Sequence, residues 1–448
     1  MRTTGSPRWT RGLAVACCVL GSTAALSACG GSNKDSRGGS PAAAGASTQA
    51  AGTKPVTLTF LACCSADQMK TLIKDFQVKY PNITVKQEIV PFENLNDVVQ
   101  SRLSQKDSSF DVYDADQPRT AALAARGFLM NLSETPYGAL AKQNLFAQSV
   151  VASSYQGQIF SAPMWSSSQV LYYNKALLKK AGVTPPSHDP AQRWTWEQLY
   201  DAAQKTRKAG SQCGFMFDQP DRYYQLQPLV ESAGGGSGLS GADLRTPDVT
   251  NAGWVKAMDF YSKLYASKVS PRGVPAEQSR ALFATGKCAF FLGVPAIPDF
   301  NGPKAPSYGF APHPYFQGGK PATPSDSFAL GVNPNTKNKD AVLKFVEYAT
   351  TDVDGNLASV ADNPNPTPNV KALPQFFATV EKGQPQLTGL GDLIDYELQH
   401  TVVHRPPSTG YITFESTIGN AFADIRNGQP VKAALDKAQK ELGSELAH

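Results

Sequence analysis

Apolar and polar residues alternate over residues 56–60, with Val56, Leu58 and Phe60 set against Thr57 and Thr59, which predicts a β-strand. The spacing then changes. Between residues 66 and 80, Met69, Leu72, Ile73, Phe76 and Tyr80 recur at helical intervals, and Pro81 stops the run. Residues 83–90 read as a second strand, 94–103 as a second helix and 110–113 as a third strand. This order implies a parallel sheet with right-handed crossovers. Ligands of such sheets sit beyond the carboxyl ends of the strands. The loops at residues 63–67 and 114–119 are therefore the places to expect one. On pattern alone, Asp114 and Asp116 read as a helix N-cap and a solvated loop acid.

Residues 157–182, GQIFSAPMWSSSQVLYYNKALLKKAG, break the period. A short apolar run is cut by Pro163, a polar segment with Trp165 follows, and Val170 to Tyr173 resume a β-type run. The pattern is two strands joined by a polar crossover. Farther on, Thr195 and Gln198 form a capping-box start, with Gly210 as C-cap, and residues 214–217 make a short strand. Residues 251–268 form an amphipathic helix whose stripe of Trp254, Met258, Tyr261 and Tyr265 reads as core. Residues 338–348 and 431–440 are further helices. The segment 283–293 faintly echoes a phosphate loop, but Cys288 and Ala281 stand where Ser/Thr and the first glycine belong, which excludes a nucleotide site. His400 and His404 have helical spacing but no third ligand, so they read as structural rather than metal-binding.

The first 28 residues belong to targeting rather than to the fold. Arg2, Arg8 and Arg11 precede a short apolar run that ends in Leu26-Ser27-Ala28-Cys29. That is a lipobox pattern, with Cys29 as the lipidated residue and a lipid anchor to the membrane as the consequence. An ordinary signal peptide with a chance cysteine is the alternative. Residues 29–54 are rich in Gly, Ser, Ala and Pro and read as a flexible tether. No later stretch is apolar for long enough to span a membrane. Beyond the tether about 395 residues remain, enough for two sizeable cores. Removing the signal arginines lowers the formal charge from +5 to +2, which is no footprint for nucleic acid. Four cysteines stay in the fold, Cys63, Cys64, Cys213 and Cys288. Three pairings are open, and adjacent Cys63 and Cys64 could bridge each other, pair elsewhere or stay free.

The order of motifs carries more information than any one of them. The crossover at 157–182, with Tyr172-Tyr173-Asn174-Lys175, then a Pro-rich spacer and Thr195-Trp196-Glu197-Gln198-Leu199, resembles the extracellular solute-binding proteins of sugar-importing ABC transporters, the maltose-binding-protein-like family. Phe110 to Asp116 followed by Ala124-x-x-Gly127-Phe128-Leu129, the segment 215–224, the Phe283-x-x-Gly286-x-x-Ala289 element and the closing helix fall in the family's order, and the resemblance spans residues 55–445. Two departures are Cys63-Cys64 in the first ligand loop and Ala296, near where maltose-binding proteins have a stacking tryptophan.

The resemblance implies an α/β, periplasmic-binding-protein-like fold: two α/β lobes joined by a three-crossover hinge, with the ligand cleft between them. It assigns residues 55–163 and 328–363 to lobe 1, and 164–327 and 364–448 to lobe 2. It places Cys213 and Cys288 on neighbouring strands and so favours a disulfide between them. It implies a ligand set of Cys64, Ser65, Asp116, Gln117, Arg119, Trp165, Ser167, Gln169, Asp221, Tyr223, Ala296, Asp326, Ser327, Arg405 and Tyr411. Trp165, Tyr223 and Tyr411 are the stacking candidates, because aromatic faces cover the C–H faces of sugars. The expected protein is a monomeric, lipid-anchored receptor on the extracytoplasmic face. It takes a di- or oligosaccharide and docks on the permease of an ABC transporter, with no cofactor, no metal and no catalysis. The same fold could instead take a glycerophosphodiester if Arg119, Arg222 and Arg405 make the cleft basic. A secreted glycosidase or a scaffold lipoprotein are the more distant alternatives.

Overall fold

The computed structural model describes residues 54–447, apart from positions 296, 303, 304 and 326. The chain opens with β1 (Val56–Cys63), whose alternating start gives way to a fully buried second half. A single 3-10 turn then leads into α1 (Lys70–Lys79). The predicted helix from residue 66 therefore starts later, because the Ser65 hydroxyl accepts the Asp67 N–H and tightens the first turn. β2 (Ile83–Val90), α2 (Phe92–Ser104), β3 (Val112–Asp116), α3 (Thr120–Ala125) and β4 (Ser161–Pro163) follow. Next come β5 (Val170–Asn174), α4 (Trp196–Lys208), β6 (Cys213–Phe217) and α5 (Tyr223–Ser232). α6 (Ala252–Ala266), α7 (Ala276–Ala284), β7 (Cys288–Gly293) and β8 (Tyr308–Ala311) complete this run. The chain ends with β9 (Phe328–Val332), α8 (Lys339–Thr350), α9 (Val353–Ser359), α10 (Ala372–Gly383), α11 (Leu390–His400), α12 (Tyr411–Asn427) and α13 (Val431–Glu445).

Two sheets organise two lobes. The first has the order β2-β1-β3-β9-β4 and the second β8-β5-β7-β6. The expected parallel run holds for β2, β1 and β3. β9 is antiparallel to both β3 and β4, and β5 is antiparallel to β7 and β8. Traffic between the lobes explains these directions. A strand that has just returned from the other lobe enters its sheet at the cleft edge and runs away from it. Strands that lead toward the cleft run the other way. β9 and β5 are the returning strands, and each is antiparallel to its neighbours.

The first crossover, residues 164–169, joins β4 to β5, and the second, residues 312–327, joins β8 to β9. The third passage, residues 360–371, lies between α9 and α10. The first and third run side by side, since the Ser166 N–H donates to the Pro366 carbonyl at 2.7 Å. Asn369 steadies the third: its side chain accepts the N–H groups of Lys371 and Ala372 and donates to the carbonyls of Thr350 and Thr351.

In the second lobe the capping box at Thr195 and Gln198 is formed, and Trp254, Met258, Tyr261 and Tyr265 are buried as the stripe predicts. Cys213 and Cys288 are register partners on β6 and β7 and are joined by a disulfide. Asp114 and Asp116 depart from the pattern-only reading. Pairing with β9 extends β3 through Asp116, so both acids are strand residues and both are buried. Among the described residues no helix is long and apolar enough to cross a membrane.

Candidate functional site

Several element ends converge where the two sheets present their cleft edges. β3 ends at Asp116, and β9 begins with Phe328 after Ser327. The first crossover brings Trp165 and Ser167, and the third brings Asn363 and Asn365. From the second lobe come Gln219, Arg222, Tyr224, Arg280 and Arg405. Together they line a cavity of about 250 Å³. A second cavity of about 780 Å³ shares Gln68, Gln219, Arg222 and Arg280 with it and adds Cys64, Asp218, Asp221 and Arg426. The shared walls make one groove with two compartments.

Trp165 is an aromatic wall of the smaller compartment. Its indole N–H donates to the Ser359 carbonyl at 3.1 Å, and its ring meets Phe328 edge-on at 5.9 Å. The hydrogen bond satisfies the one polar atom of the side chain and fixes the ring, leaving an apolar face for a ligand. Tyr224 lies opposite in kind: Arg405 stands over its ring at 5.4 Å, and burial pushes its phenol up to about 12.

Charge in the groove is dense and internally compensated. Arg405 makes two hydrogen bonds to the Asp116 carboxylate, at 3.0 and 3.1 Å, with both side chains buried. Burial by itself would raise the Asp116 carboxyl, but Arg405, then Arg119 and Arg222, outweigh it and hold the group below its ordinary value. Glu415 of α12 is the hub of the opposite sign. It pairs with Arg119 at 2.8 Å, stands 3.9 Å from both Arg222 and Arg405, and accepts the Tyr411 hydroxyl at 3.2 Å. Arg280 is held by Asp218 through two 2.7 Å bonds, and Arg426 by Asp221 at 2.8 Å. Every arginine of the groove thus faces a carboxylate. Among the described residues no cluster of His, Cys, Asp or Glu could hold a metal ion.

Of the residues expected from the sequence, Asp116, Trp165, Ser167, Ser327 and Arg405 line the smaller compartment, and Cys64 and Asp221 the larger. Arg119 stands behind Asp116 on Glu415. Ser65 caps the turn before α1. Gln117 is spent on framework bonds to Ser149, Ser153 and Ser327. Gln169 accepts from Gln225 at 2.7 Å and is fully buried. Tyr223 lies outside the groove, stacked parallel to Trp254 in the core of the second lobe, with its hydroxyl on the Ser237 carbonyl. Tyr411 is likewise fully buried, below the groove. Ala296, Asp326 and Cys29 lie outside the described residues. Sequence reasoning passed over Tyr224, Gln219, Arg280 and Glu415. For the tyrosine the reason is physical: residues 223–230 are buried on every side, so helical period cannot say which tyrosine faces the cleft.

Comparison with known proteins follows the same geometry. The family model described as bacterial extracellular solute-binding protein matches residues 65–355. The mannitol-binding protein of Pseudomonas aeruginosa is 26% identical, covering 85% of this chain and 90% of that protein. A probable ABC transporter-binding protein of Deinococcus radiodurans is 30% identical over 88% of this chain and 93% of its own length. Among solved structures, the ABC substrate-binding protein Lmo0181 of Listeria monocytogenes, in complex with cycloalternan, superposes with a TM-score of 0.76 at 19% identity, covering 88% of this chain and all of that one.

Proposed function

We propose that this chain, which belongs to the bacterial extracellular solute-binding protein family, captures a neutral sugar or polyol between its lobes and delivers it to the permease of an ABC importer. The observation that carries the reading is the groove itself. It lies between two lobes, it has aromatic walls at Trp165, Tyr224 and Phe328, and it is ringed by planar amide, carboxylate and guanidinium groups. Planar polar groups meet sugar hydroxyls as donors and acceptors, while Trp165 covers a C–H face. The ligand names of the relatives divide: mannitol for one and cycloalternan for a solved structure support the neutral class, whereas sn-glycerol-3-phosphate-binding proteins of Brucella, 26% identical over 57% of this chain, bear the name of a phosphorylated one. One sugar ring would rest on Trp165, and the larger compartment offers room for a second, which supports a di- or oligosaccharide. The lobes take the segments 55–163 and 328–363, and 164–327 and 364–448. Cys29 carries the lipid anchor that keeps the receptor beside its permease, where it acts as a monomer and without catalysis.

A phosphorylated ligand is less well supported. Arg119, Arg222 and Arg405, the basic groups such a ligand would need, all stand against Asp116 or Glu415. A phosphate, whether the singly charged diester or a doubly charged monoester, would have to displace those carboxylates from the arginines.

Calorimetric titration of the chain from residue 53 against mannitol, maltose, maltotriose and glycerophosphodiesters tests the proposal. One-to-one binding of a neutral sugar or polyol is expected. Binding of a phosphodiester alone would overturn the ligand class, and silence from a folded chain would overturn the receptor reading. With the ligand in hand, Trp165→Ala is expected to weaken binding about tenfold, or about 1.4 kcal/mol, with the fold intact. Unchanged affinity would remove Trp165 from the site.

A further inference from the structure

We propose that Cys63 and Cys64 are a redox-active vicinal pair that closes reversibly to a disulfide in the wall of the groove. Cys63 is the last residue of β1 and is buried, whereas Cys64 is exposed and lines the larger compartment with Gln68, Arg222 and Arg280. The two thiols are in hydrogen-bonding contact, and the Cys63 thiol also meets the Asp114 carboxyl. Asp114 fixes Cys63 from a second side by accepting its N–H at 2.8 Å. The backbone is bent where a ring would have to form, since Cys64 has φ +73°. That conformation is uncommon for a residue with a side chain and persists only where its surroundings enforce it. Among the described residues the other cysteine pair cannot serve as an exchange partner, because Cys213 and Cys288 are joined and buried within the second sheet.

The oxidant is an external disulfide small enough to enter the groove. The exposed Cys64 thiolate attacks one sulfur of that disulfide, whose S–S bond breaks and releases one thiolate. Contact with Cys64, then burial and Asp114, push the Cys63 thiol well above its ordinary range, so it keeps its proton until its sulfur attacks, and the proton leaves with the departing thiolate. The Cys63 sulfur attacks the Cys64 sulfur of the mixed disulfide and expels the second thiolate. Two electrons leave the cysteine pair, and the two protons lost by the thiols are matched by the two thiolates formed. Successive Cα atoms are only about 3.8 Å apart across a trans peptide, below the roughly 4.4–6.8 Å of ordinary disulfides. The bond is therefore strained and readily reduced, which makes the step reversible.

The full chain, purified without reductant, is equilibrated in glutathione buffers of rising oxidised fraction, quenched in acid, alkylated and mapped by mass spectrometry. The peptide bearing Cys63 and Cys64 is expected to pass in one step from doubly alkylated to unalkylated and lighter by two hydrogen atoms. Dithiothreitol should reverse the change while the Cys213 and Cys288 peptides stay joined. Cys63→Ser is expected to trap glutathione on Cys64. Full alkylation of both cysteines in the most oxidising buffer would overturn the proposal. So would a stable glutathione adduct on wild-type Cys64, or a bridge from either cysteine to another chain. The mapping needs no ligand, so its result stands apart from the receptor reading.

Discussion

Arg405→Ala is expected to destabilise the chain by about 3–5 kcal/mol, the usual cost of removing one partner from a buried ion pair. The side chains of Arg405 and Asp116 are 3% and 6% exposed, and two hydrogen bonds join them. Removing the guanidinium strands a carboxylate that burial already disfavours. Because the pair ties the end of β3 to a segment of the second lobe, the stranded charge can be relieved in a second way, by opening the lobes to water. Two measurements separate these responses. Urea denaturation at neutral pH reads the loss of stability, and the radius of gyration in solution reads the opening. A loss below about 1 kcal/mol with unchanged dimensions would show that the pair is not desolvated. The Asp116→Leu, Arg405→Met double variant removes both members of the pair, leaves Glu415 matched by Arg119 and Arg222, and should recover most of the stability. It should not recover sugar binding if both groups face the ligand.

Asp114 has the opposite electrostatic sense. Burial raises its carboxyl to about 7 from the ordinary 3.8, against the weaker lowering by the Cys63 N–H and thiol. A carboxyl whose folded value is raised binds its proton more tightly in the folded chain than in the unfolded one. Its contribution to stability is full below about pH 4 and is lost as pH rises through about 7. A shift of about three units corresponds to roughly 4 kcal/mol over that window. Asp114→Asn carries no such titration. Urea denaturation is therefore expected to find the variant more stable than the parent at pH 8, by up to about 4 kcal/mol, with the difference shrinking toward pH 5. Equal differences at both pH values would show that Asp114 is ionised in the folded chain throughout.

Both predictions rest on residues that the linear pattern placed in a loop. The pattern-only reading of Asp114 and Asp116 ended β3 at residue 113, because a run of Asp-Ala-Asp has no apolar period. β9, which arrives from the other lobe, pairs with this segment and carries the strand through Asp116. No local signal announces a partner more than 200 residues away. The family resemblance did point to Asp116, Trp165 and Arg405, which share one cavity. It pointed to Tyr223 where Tyr224 lines the groove, a one-residue difference that rotates a helical side chain by about 100°.

The sequence by itself determined the local elements and their order. The stripe from Met69 to Tyr80, the capping box at Thr195, the strands around the first crossover and the aromatic core face of α6 follow from period, cap chemistry and proline placement, all of which act within a turn or two. Motif order extended that to two lobes and to the Cys213–Cys288 bridge. Only the tertiary structure decided which polar groups meet. Arg405 reaches Asp116 across 289 positions, and Arg119 reaches Glu415 across 296. Local periodicity records how one element divides its residues between core and water. Where an element is buried on all sides, as α5 is, or where a charge finds its partner across the cleft, that division is set by packing between lobes and leaves no trace in the neighbouring residues.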